Sequence, residues 1–249
     1  MFEIYSAPEV LFIFAIYFMA ASAKGVTGLG FSTMCLAPLA LVVGLKSALP
    51  LLIIPSISTN IMVMVGVGHF GATIRRFWPM LLATVPGLLV GLWLLDSVNG
   101  GAAGAVLGLV LLLFVAFSWS RPDMRLPATW ERPLQPVSGA LTGLVNGVTG
   151  SQVMPSMPFM MSLHLERNMF VQAINCSFTL SSMIMVAGLA KLGLMTWEAV
   201  IVSTIGTAFA LIGIRVGERI RDQLSPDQFR IGILAVLSVM GLALIAKGI

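Results

Sequence analysis

The tetrapeptide Gly25-Val26-Thr27-Gly28 recurs in this chain as Gly147-Val148-Thr149-Gly150, a shift of 122 residues. Each copy lies between two apolar runs. The same shift places further glycines on glycines and one acidic residue on another: Gly66 on Gly188, Gly71 on Gly193, Gly91 on Gly213, and Asp96 on Glu218. Two related halves interrupted by glycine at matching positions are typical of membrane transporters, in which discontinuous helices form the binding site near the bilayer midplane.

The composition indicates a membrane protein. Hydrophobic residues make up 58% of the 249 residues and charged residues 10%, against roughly 25% charged residues in a typical soluble domain. Long stretches contain no Asp, Glu, Lys or Arg, among them 47–74, 77–95 and 97–120. A membrane span needs roughly 17 to 25 apolar residues, so these stretches are long enough to cross a bilayer. The scattered basic residues, with a net charge of +4, do not favour a nucleic-acid partner.

Each half contains five apolar segments. The first two are short and form either a re-entrant pair or two crossings, and three further crossings follow in both cases. An odd number of crossings per half gives the halves opposite orientations in the membrane. We therefore predict an all-α polytopic membrane protein of two inverted-topology repeats with broken or re-entrant helices at the glycine motifs. The segments are 8–23, 29–45, 47–68, 77–95 and 101–118, then 134–146, 152–164, 169–190, 197–216 and 229–247.

The predicted organisation is a single membrane domain over 1–249, with repeat one at 8–120, a cytoplasmic linker at 121–133 and repeat two at 134–249. Positive residues concentrate in cytoplasmic loops. All ten arginines fall in four loops, whereas Lys46, Lys191 and Lys247 fall on the other side and Lys24 at the glycine break. This distribution predicts a multi-pass protein of the cytoplasmic (inner) membrane with both termini outside. The four loops are 69–77, 119–133, 164–168 and 215–230.

Polar residues cluster around both glycine motifs, where broken helices would leave backbone N–H groups free. Such groups, with the positive end of the helix dipole, favour an anion, and glycine lets the backbone approach a ligand closely. The alternative is that the motifs are tight helix-crossing points. The predicted substrate-binding residues are Lys24, Gly25, Thr27, Gly28, Gly30, Ser32, Ser58, Asn60, Asn146, Gly147, Thr149, Gly150, Ser151, Gln152, Asn175 and Ser182.

Lys24 is the most informative single residue. A lysine flanked by apolar membrane sequence is costly and indicates function, and its own apolar stretch contains no acidic residue. An anionic substrate would supply the partner. The alternative is that Lys24 extends its amine to the membrane surface. Its counterpart in the second half is the neutral Asn146, so the predicted site carries one charge.

Other functional classes receive little support. Cys35 and Cys176 both lie in apolar runs and are interpreted as buried thiols, so we expect no metal and no cofactor. The chain contains neither His-Glu-x-x-His nor Gly-x-Ser-x-Gly, which are typical of enzymes, and we expect no enzyme activity. A non-transporting assembly factor would explain the duplication but not the matched polar clusters.

The run Gly25-Val-Thr-Gly-Leu-Gly-Phe with Pro38-Leu39 downstream resembles the first signature of the TauE/SafE sulfite-exporter family. Gly147-Val-Thr-Gly-Ser with Pro155 and Pro158 resembles the second copy, and the resemblance covers roughly residues 10 to 247. It implies transport of sulfite, organosulfonates or related small anions, driven by an ion gradient.

We therefore expect a secondary transporter of a small anionic substrate that works in the lipid bilayer by alternating access. A passive anion channel and a transporter of small carboxylates are the alternatives. The coupling ion, a proton or sodium, stays open, as does a homodimer.

Overall fold

The computed structural model describes residues 5–120, 124–223 and 226–248. Within these ranges the chain is helical and contains no strand, which confirms the all-α part of the predicted fold class. The helices are α1 (Ala7–Thr27), α2 (Phe31–Val43), α3 (Leu45–Val67), α4 (Phe70–Ser97), α5 (Gly100–Ser120), α6 (Ala128–Thr149), α7 (Ser156–Ser162), α8 (Arg167–Lys191), α9 (Trp197–Ile220) and α10 (Pro226–Gly248), with a short 3₁₀ turn at Arg221–Gln223.

Seven helices in the described part are long and apolar enough to cross a membrane, namely α1, α3, α4, α5, α8, α9 and α10 from Phe229. The chain is therefore a multi-pass membrane protein. At 1.5 Å per residue, the 13 residues of α2 extend only about 20 Å, short of a hydrocarbon core of about 30 Å. The sequence predicted two short segments at the start of the first half. In the structure the first of them is a long helix, α1, and the second is a short helix, α2.

The two halves exchange their helices. A shift of 122 residues relates α1 to α6 and α4 to α9, and the extensive contacts are α1 with α9 and α4 with α6. The first helix of each half therefore packs against the fourth helix of the other half. The related helices α3 and α8 contact each other, as do α5 and α10. This reciprocal pattern is what a two-fold relation between the halves requires.

Related helices run antiparallel. Along the α5–α10 contact, a Cβ on Gly101 would lie 3.6 Å from the Cα of Gly248, and a Cβ on Gly108 would lie 2.5 Å from the carbonyl oxygen of Gly241. Residue numbers rise along one helix as they fall along the other. This direction supports the expected inverted repeat, which we take up as part of the proposal below.

The same reversal holds for α3 and α8. The sulfur of Cys176 lies 3.4 Å from that of Met64 near the end of α3, while Leu49 near its start lines a cavity with Met185. Both pairs of related helices that contact each other, α5 with α10 and α3 with α8, are therefore antiparallel.

Glycine allows the exchanged helices to touch backbone to backbone. A Cβ on Gly25 would lie 2.3 Å from the carbonyl oxygen of Ile214 and 2.9 Å from the Cα of Gly217. In the other pair, a Cβ on Gly147 would lie 2.6 Å from the Cα of Gly91. Small residues permit such close helix contacts in membranes. The helix-crossing interpretation of the motifs therefore accounts for the first glycine of each copy.

Both motifs end a helix. Gly28 follows α1 with φ of 84° and Gly150 follows α6 with φ of 76°, the left-handed conformation that glycine adopts most readily. The two threonines have the same local bonds. Thr27 Oγ1 donates to Ala23 O and accepts from Leu29 N, and the hydroxyl of Thr149 donates to a carbonyl four residues earlier and accepts from a backbone N–H two residues later. The motif is thus a helix-ending unit used twice.

A proline in α3 ties this helix to α1. Pro55 has no N–H to donate, which frees the carbonyl of Leu51 four residues earlier. The hydroxyl of Tyr17, whose side chain is completely buried, donates to that carbonyl. In a membrane, such freed groups need a partner from a neighbouring helix. The bond fixes the middle of α3 against α1.

The linker is shorter than expected. α6 begins at Ala128, inside the segment predicted as linker over 121–133, and it includes Pro133 and Pro136. Both prolines lie inside this helix, which packs against α4. Residues 121–123, including Arg121, lie outside the described residues.

The loops predicted to be cytoplasmic gather at one end of the bundle. Val67, Arg167 and Arg221 line a single cavity, and Leu126 N donates to Ser162 O. Arg76 pairs with Glu131 at the same end. We call this the arginine end.

The opposite end, which we call the lysine end, contains Lys46 and Lys247 around a cavity lined also by Gly100. The hydroxyl of Tyr5 lies 3.5 Å from the carbonyl oxygen of Ser47. The described chain therefore begins and ends at the lysine end.

Candidate functional site

Lys24 lies in the last turn of α1 with 2% of its surface exposed. Its Nζ donates to Asn60 Oδ1 and lies 3.5 Å from Thr59 Oγ1, both on α3. These partners are neutral, and within the described ranges the structure contains one ion pair, between Arg76 and a glutamate of α6. The side chain is enclosed within the helix bundle. It is a buried amine held only by neutral groups.

A cavity of about 290 Å³ opens beside Lys24, and we call it the first cavity. Thr27 and Gly28 contribute the end of α1, and Arg167 and Arg221 contribute the arginine end. Glu218 also lines the wall, so three basic side chains face one acidic side chain. Excess positive charge in a concave wall of low dielectric attracts anions.

A second cavity adjoins the other motif and is much smaller, about 20 Å³. Its polar lining comprises Asn146, Gln152 and Ser182 from the second half, with Ser32 and Ser56 from the first. This volume is enough for about one water molecule. Gln152 Nε2 lies 3.5 Å from Ser182 Oγ across it. In this structure the second site is closed.

Hydrogen-bonded side chains connect Lys24 in the lining of the first cavity to Ser32 and Ser56 in the lining of the second. Ser32 Oγ and Ser56 Oγ are 2.8 Å apart, Thr59 Oγ1 donates to Ser56 O over 3.1 Å, and Lys24 donates to Asn60. We call these five residues the septum. From Ser56 to Asn60 the axis of α3 rises by about 6 Å, so these residues of α3 span little more than one helical turn.

Several of the predicted site residues carry buried polar atoms that have no hydrogen-bond partner among the described residues. Burying such atoms unpaired costs free energy, so they mark places where a ligand or water can bind. They comprise donors and acceptors from both halves: Asn60 Nδ2, Asn146 Nδ2, Ser151 Oγ, Gln152 Oε1 and Asn175 Oδ1. Ser181 Oγ, which was not among the predicted residues, is also buried without a partner in the described part of the chain.

The structure divides the predicted residues into groups. Lys24, Gly25, Thr27 and Gly28 line the first cavity, whereas Ser32, Asn146, Gly150, Gln152 and Ser182 line the second.

Asn175 joins α8 to the first motif, since its Nδ2 donates to Gly28 O over 3.3 Å. Ser58 and Gly30 line neither cavity, and Gly147 lies in a helix contact. The hydroxyl hydrogens of Thr27 and Thr149 are already donated to backbone carbonyls, so neither is free for an anion in this conformation.

Sequence reasoning missed three residues of α6, the buried Gln135, Ser138 and Thr142. Each has a side-chain oxygen without a partner in the described part of the chain, and the spacing places all three on the same helix face as Asn146. Polar residues at helical spacing within an apolar segment are the signal that could have found them. Under the 122-residue shift, the residue of α1 that corresponds to Gln135 is the apolar Ile13.

Arg221 was also missed as a site residue. Its Nη2 donates to Gly25 O over 2.7 Å, which fixes a guanidinium at the end of α1. Sequence reasoning counted Arg221 only as a loop charge, because the contact joins residues almost 200 positions apart.

The fold and the site define a multi-pass membrane protein with a duplicated glycine motif and a buried lysine beside an anion-attracting cavity. Residues 13–244 match the family described as Sulfite exporter TauE/SafE. The chain belongs to this family, whose members are membrane exporters of sulfite and related anions, and the predicted resemblance is confirmed. No curated protein and no solved structure matches the chain.

Proposed function

We propose that this protein is a secondary transporter that moves sulfite, an organosulfonate or a related sulfur oxyanion across the cytoplasmic membrane by alternating access. The observation that carries the proposal is the environment of Lys24, which is 2% exposed and bonded only to neutral groups beside an open cavity. Intramembrane ionisable residues are costly and mark substrate pathways. An oxyanion in the first cavity would supply the missing partner.

The arginine end faces the cytoplasm in this proposal, as the bias of positive residues in short loops favours. An anion would enter the first cavity past Arg167 and Arg221, whose positive charge raises its local concentration. At the inner wall it would meet Lys24, and a rearrangement of the Lys24–Asn60 pair would bring the unpaired Nδ2 of Asn60 to it. Charge-assisted bonds from such donors are roughly twice as strong as neutral ones.

Transfer would require the septum to open. Antiparallel packing of the related helices supports two inverted repeats, and rocking of one repeat against the other would expose the site to each side in turn. The anion would then reach the second cavity, where Asn146 stands in place of Lys24. A neutral amide binds an anion less tightly than an ammonium does, so the anion would be held more weakly in the second cavity, while the imposed gradients would set the direction of net transport.

Purified protein in liposomes tests this function. With sulfite trapped inside and a proton or sodium gradient imposed, we expect saturable sulfite flux that requires the protein. Methanesulfonate and acetate, added separately, define the range of anions. Flux that stays linear with concentration and only dissipates the sulfite gradient would indicate a channel instead. Selective movement of a cation would overturn the proposal.

A further inference from the structure

A third cavity, of about 770 Å³, lies at the arginine end between the end of α5 and the beginning of α10. Arg167, Arg221 and Arg230 contribute guanidinium groups, and apolar side chains form much of the remaining wall. Arg167 and Arg221 also line the first cavity, but Arg230 does not. The three arginines come from three separate elements, the beginning of α8, the 3₁₀ turn and the beginning of α10.

The described residues that line the third cavity carry only positive charge. Its lining contains no acidic side chain among the described residues, and none of its arginines forms an ion pair within those ranges. Arg221 is held in place by its bond to Gly25 O, and its Nε is buried without a partner in the same ranges. The guanidinium fork matches phosphate oxygens in a bidentate geometry.

The size and the apolar wall indicate a ligand with a tail. Phe114 and Ile233 face the cavity about one to two helical turns from the arginine end of α5 and α10. Ser118, close to the end of α5, lines it with the arginines. A small oxyanion would leave most of 770 Å³ and its apolar wall unused. A molecule with an anionic head and a hydrocarbon chain would contact both.

We propose that the third cavity binds an anionic phospholipid of the adjacent leaflet. Its phosphate lies among Arg167, Arg221 and Arg230, and one acyl chain lies along Phe114 and Ile233. Basic pockets between transmembrane helices on the cytoplasmic side are known to bind such headgroups. The site shares Arg167 and Arg221 with the wall of the first cavity, whereas Arg230 and the apolar wall belong to the third cavity alone. The proposal does not depend on which anion is carried.

The test is lipid binding by the purified full-length protein in a neutral detergent, measured by native mass spectrometry and by thermal shift. Phosphatidylglycerol should bind and raise the melting temperature, whereas phosphatidylcholine with the same acyl chains should bind at least tenfold more weakly. Glycerol 3-phosphate, which has the headgroup chemistry without chains, should give no stabilisation at the same concentration.

Arg230→Gln removes a charge that only the third cavity uses and should weaken phosphatidylglycerol binding about tenfold. Arg75→Gln is the matched control, because Arg75 is an exposed arginine at the same end that lines none of the three cavities. If Arg230→Gln does not fold, Arg230→Lys keeps the charge, removes the fork and should give a smaller loss. Lys24→Met should leave lipid binding unchanged, which separates this site from the transport site.

Equal binding of both lipids, or equal effects of Arg230→Gln and Arg75→Gln, would overturn the proposal. Displacement of the lipid by sulfite at the concentration that saturates transport would overturn it as well, because the third cavity would then belong to the transport site.

Discussion

Lys24→Met exchanges a buried amine for an apolar side chain of similar length. The substitution distinguishes a role of Lys24 in anion binding from a role in the stability of the fold. In the ligand-free protein the change leaves Asn60 Oδ1 without its donor, at a cost of about 1–3 kcal/mol. It also removes an amine whose burial among neutral groups is itself costly. The two effects offset each other, so the free energy of unfolding should be unchanged or raised.

The bound state differs. An oxyanion at Lys24 would lose one charge-assisted hydrogen bond, worth about 1.5–3 kcal/mol. Since 1.4 kcal/mol corresponds to a tenfold change in Kd, the anion should bind about 10- to 150-fold more weakly. Isothermal titration of the purified protein with sulfite measures Kd, and a thermal scan of the same sample measures stability. Lys191→Met, which removes an exposed lysine at the end of α8, is the matched control and should bind as the unaltered protein does.

Two results would refute this reasoning. A Kd within twofold of the unaltered protein would mean that the amine does not contact the anion. A large fall in melting temperature together with lost binding would mean that Lys24 maintains the fold, since its bonds to α3 would then outweigh the cost of burying it.

Three further substitutions test the packing that positions the site. Tyr17→Phe leaves the Leu51 carbonyl unpaired and should lower the free energy of unfolding by about 0.5–2 kcal/mol, measured by denaturant titration in detergent micelles. Gly143→Leu places a Cβ 2.2 Å from a carbonyl oxygen of α4 and should cost about 3 kcal/mol or more, whereas Gly232→Leu, with nothing within 4 Å, should cost little in the same titration. Arg76→Gln breaks a bidentate but half-exposed ion pair with a glutamate of α6 and should cost less than about 1 kcal/mol, less again at high salt; a cost above 2 kcal/mol would contradict that estimate.

The helices and their membrane character could be predicted because both depend on local composition. The 122-residue shift also predicted which helices correspond, since each half repeats the same helix-ending threonine and glycine. Lys24 and Asn60 could be found as candidates because each is a polar residue in a long apolar run. Their mutual bond confirms that the two lie together.

The division of the site into two cavities could not be predicted. Spacing along one helix shows which residues share a face, but not which face of another helix lies opposite. Ser32 follows the first motif in sequence yet lines the second cavity, because α2 turns back towards α3. The partners Tyr17 and Leu51, and Arg221 and Gly25, likewise depend on tertiary packing between distant segments.

Selenite has the charge and shape of sulfite and a heavier central atom, so its position in a bound structure can be located from the selenium signal. Soaked or mixed at a concentration that saturates transport, it should give a peak in the first cavity with an oxygen within hydrogen-bond distance of Lys24 Nζ. Selenium density confined to exposed arginines would contradict the account. So would the absence of selenium density near α1 and α3 at that same concentration.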